Sequence, residues 1–308
     1  MIKELKNNDT FNNQTFLIKN VESKTTKTGS DFLKITFCDH SGELTGNLWD
    51  TTDEDTKTFT AGTIVNITGA ITSYKDQLQV KIDNMQVNPQ AKLADYLPSA
   101  PESQEDLIHE FINYVNYIQN PIYKTIIHEI LHTHQKAFFQ YPAAKSVHHN
   151  FLNGLMFHTI SILRQCNHLC DQYPQINREL LYSGAILHDI GKTVELSGVL
   201  NTEYTTNGKL LGHISIIDGE INRVAEKNNI PSDNPDLVLL RHMVLSHHGQ
   251  LAYGSPIEPQ LLEAAVLHHV DALDATINTI SNNLSQTDKN QWTEKIWSQG
   301  NHQFYNHQ

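Results

Sequence analysis

A histidine followed at once by an aspartate, His188-Asp189, ends the apolar run 180–187. Outward from it stand His158, His213, the pair His247-His248 and Asp271, each in or beside an apolar segment of helical character. Buried ionisable groups are costly unless they are paired or hold a metal. Imidazole nitrogen and carboxylate oxygen suit Mn, Fe, Co, Ni or Zn, and the array has no thiolate to bias it toward zinc. Such donors on a helical scaffold serve metal-assisted hydrolysis, with phosphoesters as the fitting substrate class. Lys192, three residues on, is placed to meet a phosphate oxygen or to sit as a cation at the helix C-terminus. With 18 histidines in the chain, a single His-Asp dipeptide would mean little. The weight rests on the array.

The array is carried by five ordered motifs: HHNFLNGLMFHT, LHDIGK, GKLLGHISI, LSHHG and LHHVDALDA. Together they resemble the HD-domain phosphohydrolase superfamily, and within it the YhaM-type 3′-to-5′ exoribonucleases of Gram-positive bacteria, over nearly the whole chain. The resemblance implies His158, His188, Asp189 and Asp271 as a first metal site. It implies Asp189 as a bridge to a second metal, completed by His213 and one histidine of the pair, His247 in preference to His248. Two divalent cations follow, Mn2+ first, with Co2+, Fe2+ or Ni2+ as alternatives. Asp189 and Lys192 would act directly in catalysis. His148 and His149 match the family's paired histidines; they would contact the substrate phosphate or protonate the leaving oxygen, unless one caps the helix that carries His158. Where the family often has a lysine after its last aspartate, this chain reads Asp274-Ala275-Thr276.

The implied activity is 3′-to-5′ digestion of single-stranded RNA to nucleoside 5′-monophosphates, with single-stranded DNA as a second substrate. Two readings compete with it. One is a phosphohydrolase of cyclic nucleotides, (d)NTPs or (p)ppGpp with a regulatory N-terminal domain. The other is a single-strand binder whose helical domain is only structural, and the complete donor array counts against that.

A chain of 308 residues, 39% hydrophobic and 18% charged, has the length and composition of about two soluble domains. No apolar run reaches the roughly 18–20 residues of a membrane span, and the N-terminus lacks a signal-peptide core. Three cysteines, Cys38, Cys166 and Cys170, make no disulfide framework, which points to a reducing cytoplasm. A net charge of −12 disfavours a simple nucleic-acid binder. It leaves room for an enzyme whose bound cations supply a local positive field. A homo-oligomer is compatible with a modest binding site that gains from avidity.

The chain reads as a multidomain α and β protein. Within a first domain of residues 1–88, residues 15–88 carry the period-two alternation of five short strands, at 15–24, 32–38, 44–50, 64–73 and 78–87, with a polar stretch at 51–60. That pattern fits a five-stranded OB-type β-barrel for nucleic-acid binding. Leu33, Ile35, Phe37, Leu44 and Leu48 would face its interior. Phe32, Lys34 and Trp49 on the other face, with Tyr74 and Lys75 in a turn, are the candidate contacts to a single strand, since bases stack on aromatics and phosphates meet cations. Residues 89–104 form a proline-bearing linker. Residues 105–308 read as an all-α HD domain. His128 and His132 have chelating spacing but no acidic partner and read as solvated; Trp292, Trp297, Phe304 and Tyr305 read as a tail packed onto the helices or a neighbouring subunit.

Overall fold

The computed structural model describes residues 1–308 except 27–28, 40, 75–76, 145–150 and 201, with only the backbone of Tyr74. It divides into two compact units, Met1–Ser99 and Ala100–Gln308.

The first unit is a closed barrel of strands β1 (Thr10–Thr25), β2 (Asp31–Asp39), β3 (Gly42–Trp49), β4 (Ile64–Tyr74) and β5 (Gln77–Val87), in the order β1-β2-β3-β5-β4. Alternation decides the faces: Leu33, Ile35 and Phe37 of β2 are fully buried, with Leu44 of β3 beside them. β1 is longer than its apolar pattern suggests. Its first part pairs with β4 and its second with β2, with register shifts between Phe11 and Gln14 and between Ile18 and Asn20 that bend it round the barrel. The barrel closes where β3 runs parallel to β5. There Gly46 is required, because a Cβ would sit 2.9 Å from the Val80 carbonyl oxygen. The polar stretch between β3 and β4 holds a short helix, α1 (Asp53–Thr58), entered through a capping box of Thr52 and Asp55.

The second unit is helical: α2 (Gln104–Tyr117), α3 (Pro121–Phe138), α4 (Gly154–Gln172), α5 (Arg178–Leu187), α6 (Lys192–Glu195), α7 (Thr206–Lys227), α8 (Pro235–Ser246) and α9 (Leu262–Ser285). Among the described residues its only β structure is isolated bridges. Asn120 and Asn234 cap α3 and α8, each followed by a proline at the first helical position. Helix α5 is the centre of the core: every residue from 180 to 187 is buried, and it packs against α3, α4, α8 and α9. It runs through this core and ends at His188, its C-cap. No helix among the described residues is long and apolar enough to cross a membrane. All three cysteines are free and buried.

Candidate metal centre and nucleic-acid face

His188 and His247 occupy the C-caps of α5 and α8. Each ring is fixed the same way: Nδ1 lies 2.7 Å from the carbonyl oxygen three residues back, Ala185 for His188 and Val244 for His247. A carbonyl only accepts, so in the neutral ring Nδ1 carries the proton and Nε2 presents a lone pair. His213 follows directly on Gly212, whose φ of 72° breaks α7. Glu195, ending α6, accepts the His213 backbone N–H at 3.1 Å and lies 3.2 Å from its Nδ1. His158, inside α4, has its Nδ1 2.7 Å from Asp274 of α9. His248 lies 2.7 Å through Nδ1 from the Tyr253 carbonyl oxygen.

The inward atoms converge on Asp189. Its Oδ2 lies 3.3 Å from His188 Nε2 and 3.5 Å from His158 Nε2, and Asp271 adds an oxygen 3.2 Å from His158 Nε2. Its Oδ1 faces the other way, 3.4 Å from His213 Nε2 and 3.9 Å from His247 Nε2. The donors therefore fall into two sets, His158 with His188 and Asp271, and His213 with His247 and His248. One carboxylate oxygen of Asp189 stands at each. Nε2 of His188, His213 and His247 and Oδ1 of Asp189 are buried with no hydrogen-bond partner among the described residues. Lone pairs facing a carboxylate repel unless a cation lies between them. Donors bonded at about 2.1 Å to one cation stand roughly 3–4 Å apart, the spacing seen here. The set fits a divalent metal.

The electrostatics agree. Burial pushes the Asp189 carboxyl up, but Lys192, whose Nζ donates to Oδ2 at 2.7 Å, leads the groups that hold it well below the usual range. Asp271 is likewise held low against burial by His158. Burial, with His248 beside it, holds His247 well below the ordinary histidine value and so neutral. His158 goes the other way: burial opposes its charge, but Asp189, Asp271 and Asp274 raise it well above that value.

Lys192, read as a cation at a helix C-terminus or a phosphate contact, in fact begins α6, is buried, and is bonded to Asp189. The dipole reading is therefore corrected, since a helix start does not favour a cation. His148 and His149 lie outside the described residues; the N-cap of α4 is Asn153. His128 and His132 are exposed on α3. Trp297 is 83% exposed, so its ring is not packed onto the helices of this unit. Two polar partners escaped sequence reading, Glu195 and Asp274. Asp274 carries a signal in retrospect, standing three residues, one helical turn, after Asp271. A cavity of about 560 Å³ opens beside the cluster, with Lys192, Glu195, His213 and His248 among its lining residues.

On the barrel, Phe32 pairs across strands with Trp49, and Lys34 with Asn47. The two rings lie 4.7 Å apart at 31°, leaving Trp49 55% exposed. Lys24 and Lys81 share this face by register but have acidic neighbours, Glu22 at 2.7 Å and Asp83 at 3.6 Å. Lys75 and the side chain of Tyr74 lie outside the described residues.

Residues 156–276 match the HD domain model, and residues 17–88 match that of the OB-fold nucleic acid binding domain. The 3′-5′ exoribonuclease YhaM of Geobacillus sp. (strain WCH70) is 39% identical over 292 residues, 94% of this chain and 90% of that protein. Among solved structures, the second OB-fold domain of replication protein A from Methanococcus maripaludis is 18% identical, covering 30% of this chain and 96% of that one at a TM-score of 0.24. The HD domain of the L. monocytogenes phosphodiesterase PgpH is 17% identical, covering 54% and 80% at a TM-score of 0.31. With that identity to the Geobacillus protein sustained from barrel to helices, the chain belongs to the family of the 3′-5′ exoribonuclease YhaM.

Proposed function

We propose that this protein is a metal-dependent 3′-to-5′ exoribonuclease that releases nucleoside 5′-monophosphates from single-stranded RNA and accepts single-stranded DNA as a second substrate. The observation that carries the metal dependence is the division of Asp189 between two donor sets, one oxygen to each. His158, His188 and Asp271 would hold one divalent cation, and His213, His247 and His248 the other, with Mn2+ the favoured metal. When bound, two such cations acidify a water for attack on phosphorus and neutralise charge on its oxygens. The chain's own residues set the geometry. Carbonyls 185 and 244 and the carboxylates of Glu195 and Asp274 aim the imidazoles, and Lys192 keeps Asp189 ionised. Lys192 also lines the cavity beside the cluster, where its ammonium would meet a phosphate oxygen. On the barrel, the open face of Trp49, backed by Phe32, gives a base a surface to stack on, with Lys34 beside it.

The test is a time course on 5′-labelled single-stranded RNA with Mn2+ beside a chelated control. A metal-dependent ladder shortening from the 3′ end, with mononucleotide product, is expected. Asp189→Ala should abolish it while leaving oligonucleotide binding through the barrel. Intact RNA alongside hydrolysis of free nucleotides would overturn the proposal in favour of small phosphoesters.

A further inference from the structure

The cavity beside the cluster has walls of a particular kind. Among the described residues lining it, Lys192 is the one fixed cation, and its ammonium is bonded to Asp189. Glu195 adds an acid on the same side. These walls give a polyanionic strand little attraction of their own. What they present is aromatic surface, from Tyr204 and Tyr253, which are 43% and 63% exposed.

Neither tyrosine sits on loose chain. Tyr204 forms an antiparallel bridge with Leu196, the residue after α6, so its backbone is tied one residue from Glu195. Tyr253 accepts the His248 Nδ1–H through its carbonyl oxygen at 2.7 Å, which ties its backbone to the second donor set. Each ring thus projects from an anchored segment whose other end is a residue of the centre. Helix α9 lines the same cavity with Ala272, Ala275, Thr276 and Thr279, one helical face of small side chains. Exposed aromatics held on ordered backbone beside a phosphoester site are what a nucleobase needs, and stacking tolerates any base.

We propose that Tyr204 and Tyr253 form the stacking subsite for the 3′-terminal base, which places the adjoining phosphodiester at the histidine–aspartate cluster. The proposal rests on the exoribonuclease reading and names the substrate contact within it. The tyrosines are positioning residues. Their contacts are the same in the ground and transition states, so their loss raises KM and leaves kcat nearly unchanged.

The experiment compares single-stranded RNA ending in an ordinary 3′ nucleotide with the same RNA ending in an abasic one. Wild type, Tyr253→Ala, Tyr204→Ala and the two Phe variants are assayed. On the ordinary end, each Ala variant should raise KM by roughly 5- to 150-fold, the range of base–aromatic stacking, and each Phe variant should not. On the abasic end, wild type should already show the loss, and the Ala variants should add less than about two-fold, as a double-mutant cycle requires. Equal losses on both ends, or none, would overturn the subsite. A second arm needs no catalysis: in chelator, a 3′-terminal 2-aminopurine should be quenched on binding by wild type and less so by Tyr253→Ala. Absence of that quench in wild type also overturns the subsite. If the quench appears but no RNA is cleaved, the exoribonuclease reading fails and the subsite stands.

Discussion

Gly191 holds the second donor set in place by lacking a side chain. It is the N-cap of α6, with φ −55° and ψ −21°, a conformation any residue adopts. A Cβ there would meet the His213 carbonyl oxygen at 2.3 Å, its carbonyl carbon at 2.9 Å and its Cα at 3.0 Å. Restoring an ordinary contact requires the backbones to part by about 1 Å. The atoms in the way are backbone, and the His213 N–H and ring are both held by Glu195, so rotamer change gives no relief. Gly191→Ala should therefore cost about 1–3 kcal/mol of overpacking, against a gain of roughly 0.4–1 kcal/mol from the stiffer unfolded chain. Displacing His213 from Asp189 Oδ1, now 3.4 Å from Nε2, should lower the affinity of that set for a divalent cation by roughly 10–100-fold. Gly219, within α7, is the internal control: nothing lies within 4 Å of a Cβ there. Gly219→Ala should stabilise by about 0.5–1 kcal/mol. Helical circular dichroism on heating and calorimetric Mn2+ titration read both effects, with melting shifts of opposite sign. A Gly191→Ala protein that melts no lower than wild type and binds Mn2+ equally well would refute the argument.

Two further outcomes follow from the polar partners. Asp274→Ala leaves His158 Nδ1 without its 2.7 Å acceptor and should weaken metal binding by about 10–100-fold, whereas Asp274→Asn, which can still accept, should lose less; equal affinity of all three in calorimetry would sink the idea. Arg164 grips Glu102 and Glu110, and its hydrogen bonds hold the Glu102 carboxyl below its ordinary value. A folded-state value below the unfolded one gives stability that is present above about pH 4.5 and lost as pH falls through the folded value. The gap between wild type and Glu102→Gln in urea denaturation should shrink from pH 7 to pH 3, and a constant gap would refute it.

The parts of the fold legible in the sequence are those where burial imposes a period. Leu33, Ile35 and Phe37 alternate because one side of β2 is core, and 180–187 is mostly apolar and buried throughout because α5 is surrounded. Helix α1 was not legible because none of its residues is buried, leaving only the Thr52–Asp55 capping box as a trace. The first residues of β1 were missed for a similar reason: Asn12, Asn13 and Gln14 are exposed, and pairing with β4 together with the Thr68 side chain extends the strand. At the centre, ionisable residues beside apolar segments drew attention, and the resemblance to the family's motifs singled out His158, His188, Asp189, His213, His247, His248 and Asp271 as candidates. What aims them could not be read. Glu195 meets His213 from 18 positions away and Asp274 meets His158 from 116, and neither separation leaves a local pattern. Lys192 does stand beside the site, but the turn after α5 restarts a helix, so it begins α6 where the sequence suggested a helix end.

The scaffold explains why such a centre suits an acidic chain. Helices α5 and α8 both end at a donor histidine, so two sets of helix-end carbonyls, each a partial negative charge, lie beside the cluster. Asp189 and Asp271 add two carboxylates held ionised, and among the described residues Lys192 is the fixed charge bonded to Asp189. A net charge of −12 adds to the pull on divalent cations and to the push on a nucleic acid. These demands conflict only if the protein's side chains must hold the phosphates. If the cations drawn in by the carboxylates meet the scissile phosphate, and aromatic faces such as Tyr253 and Trp49 meet the bases, the basic surface usual in nucleic-acid binders is dispensable.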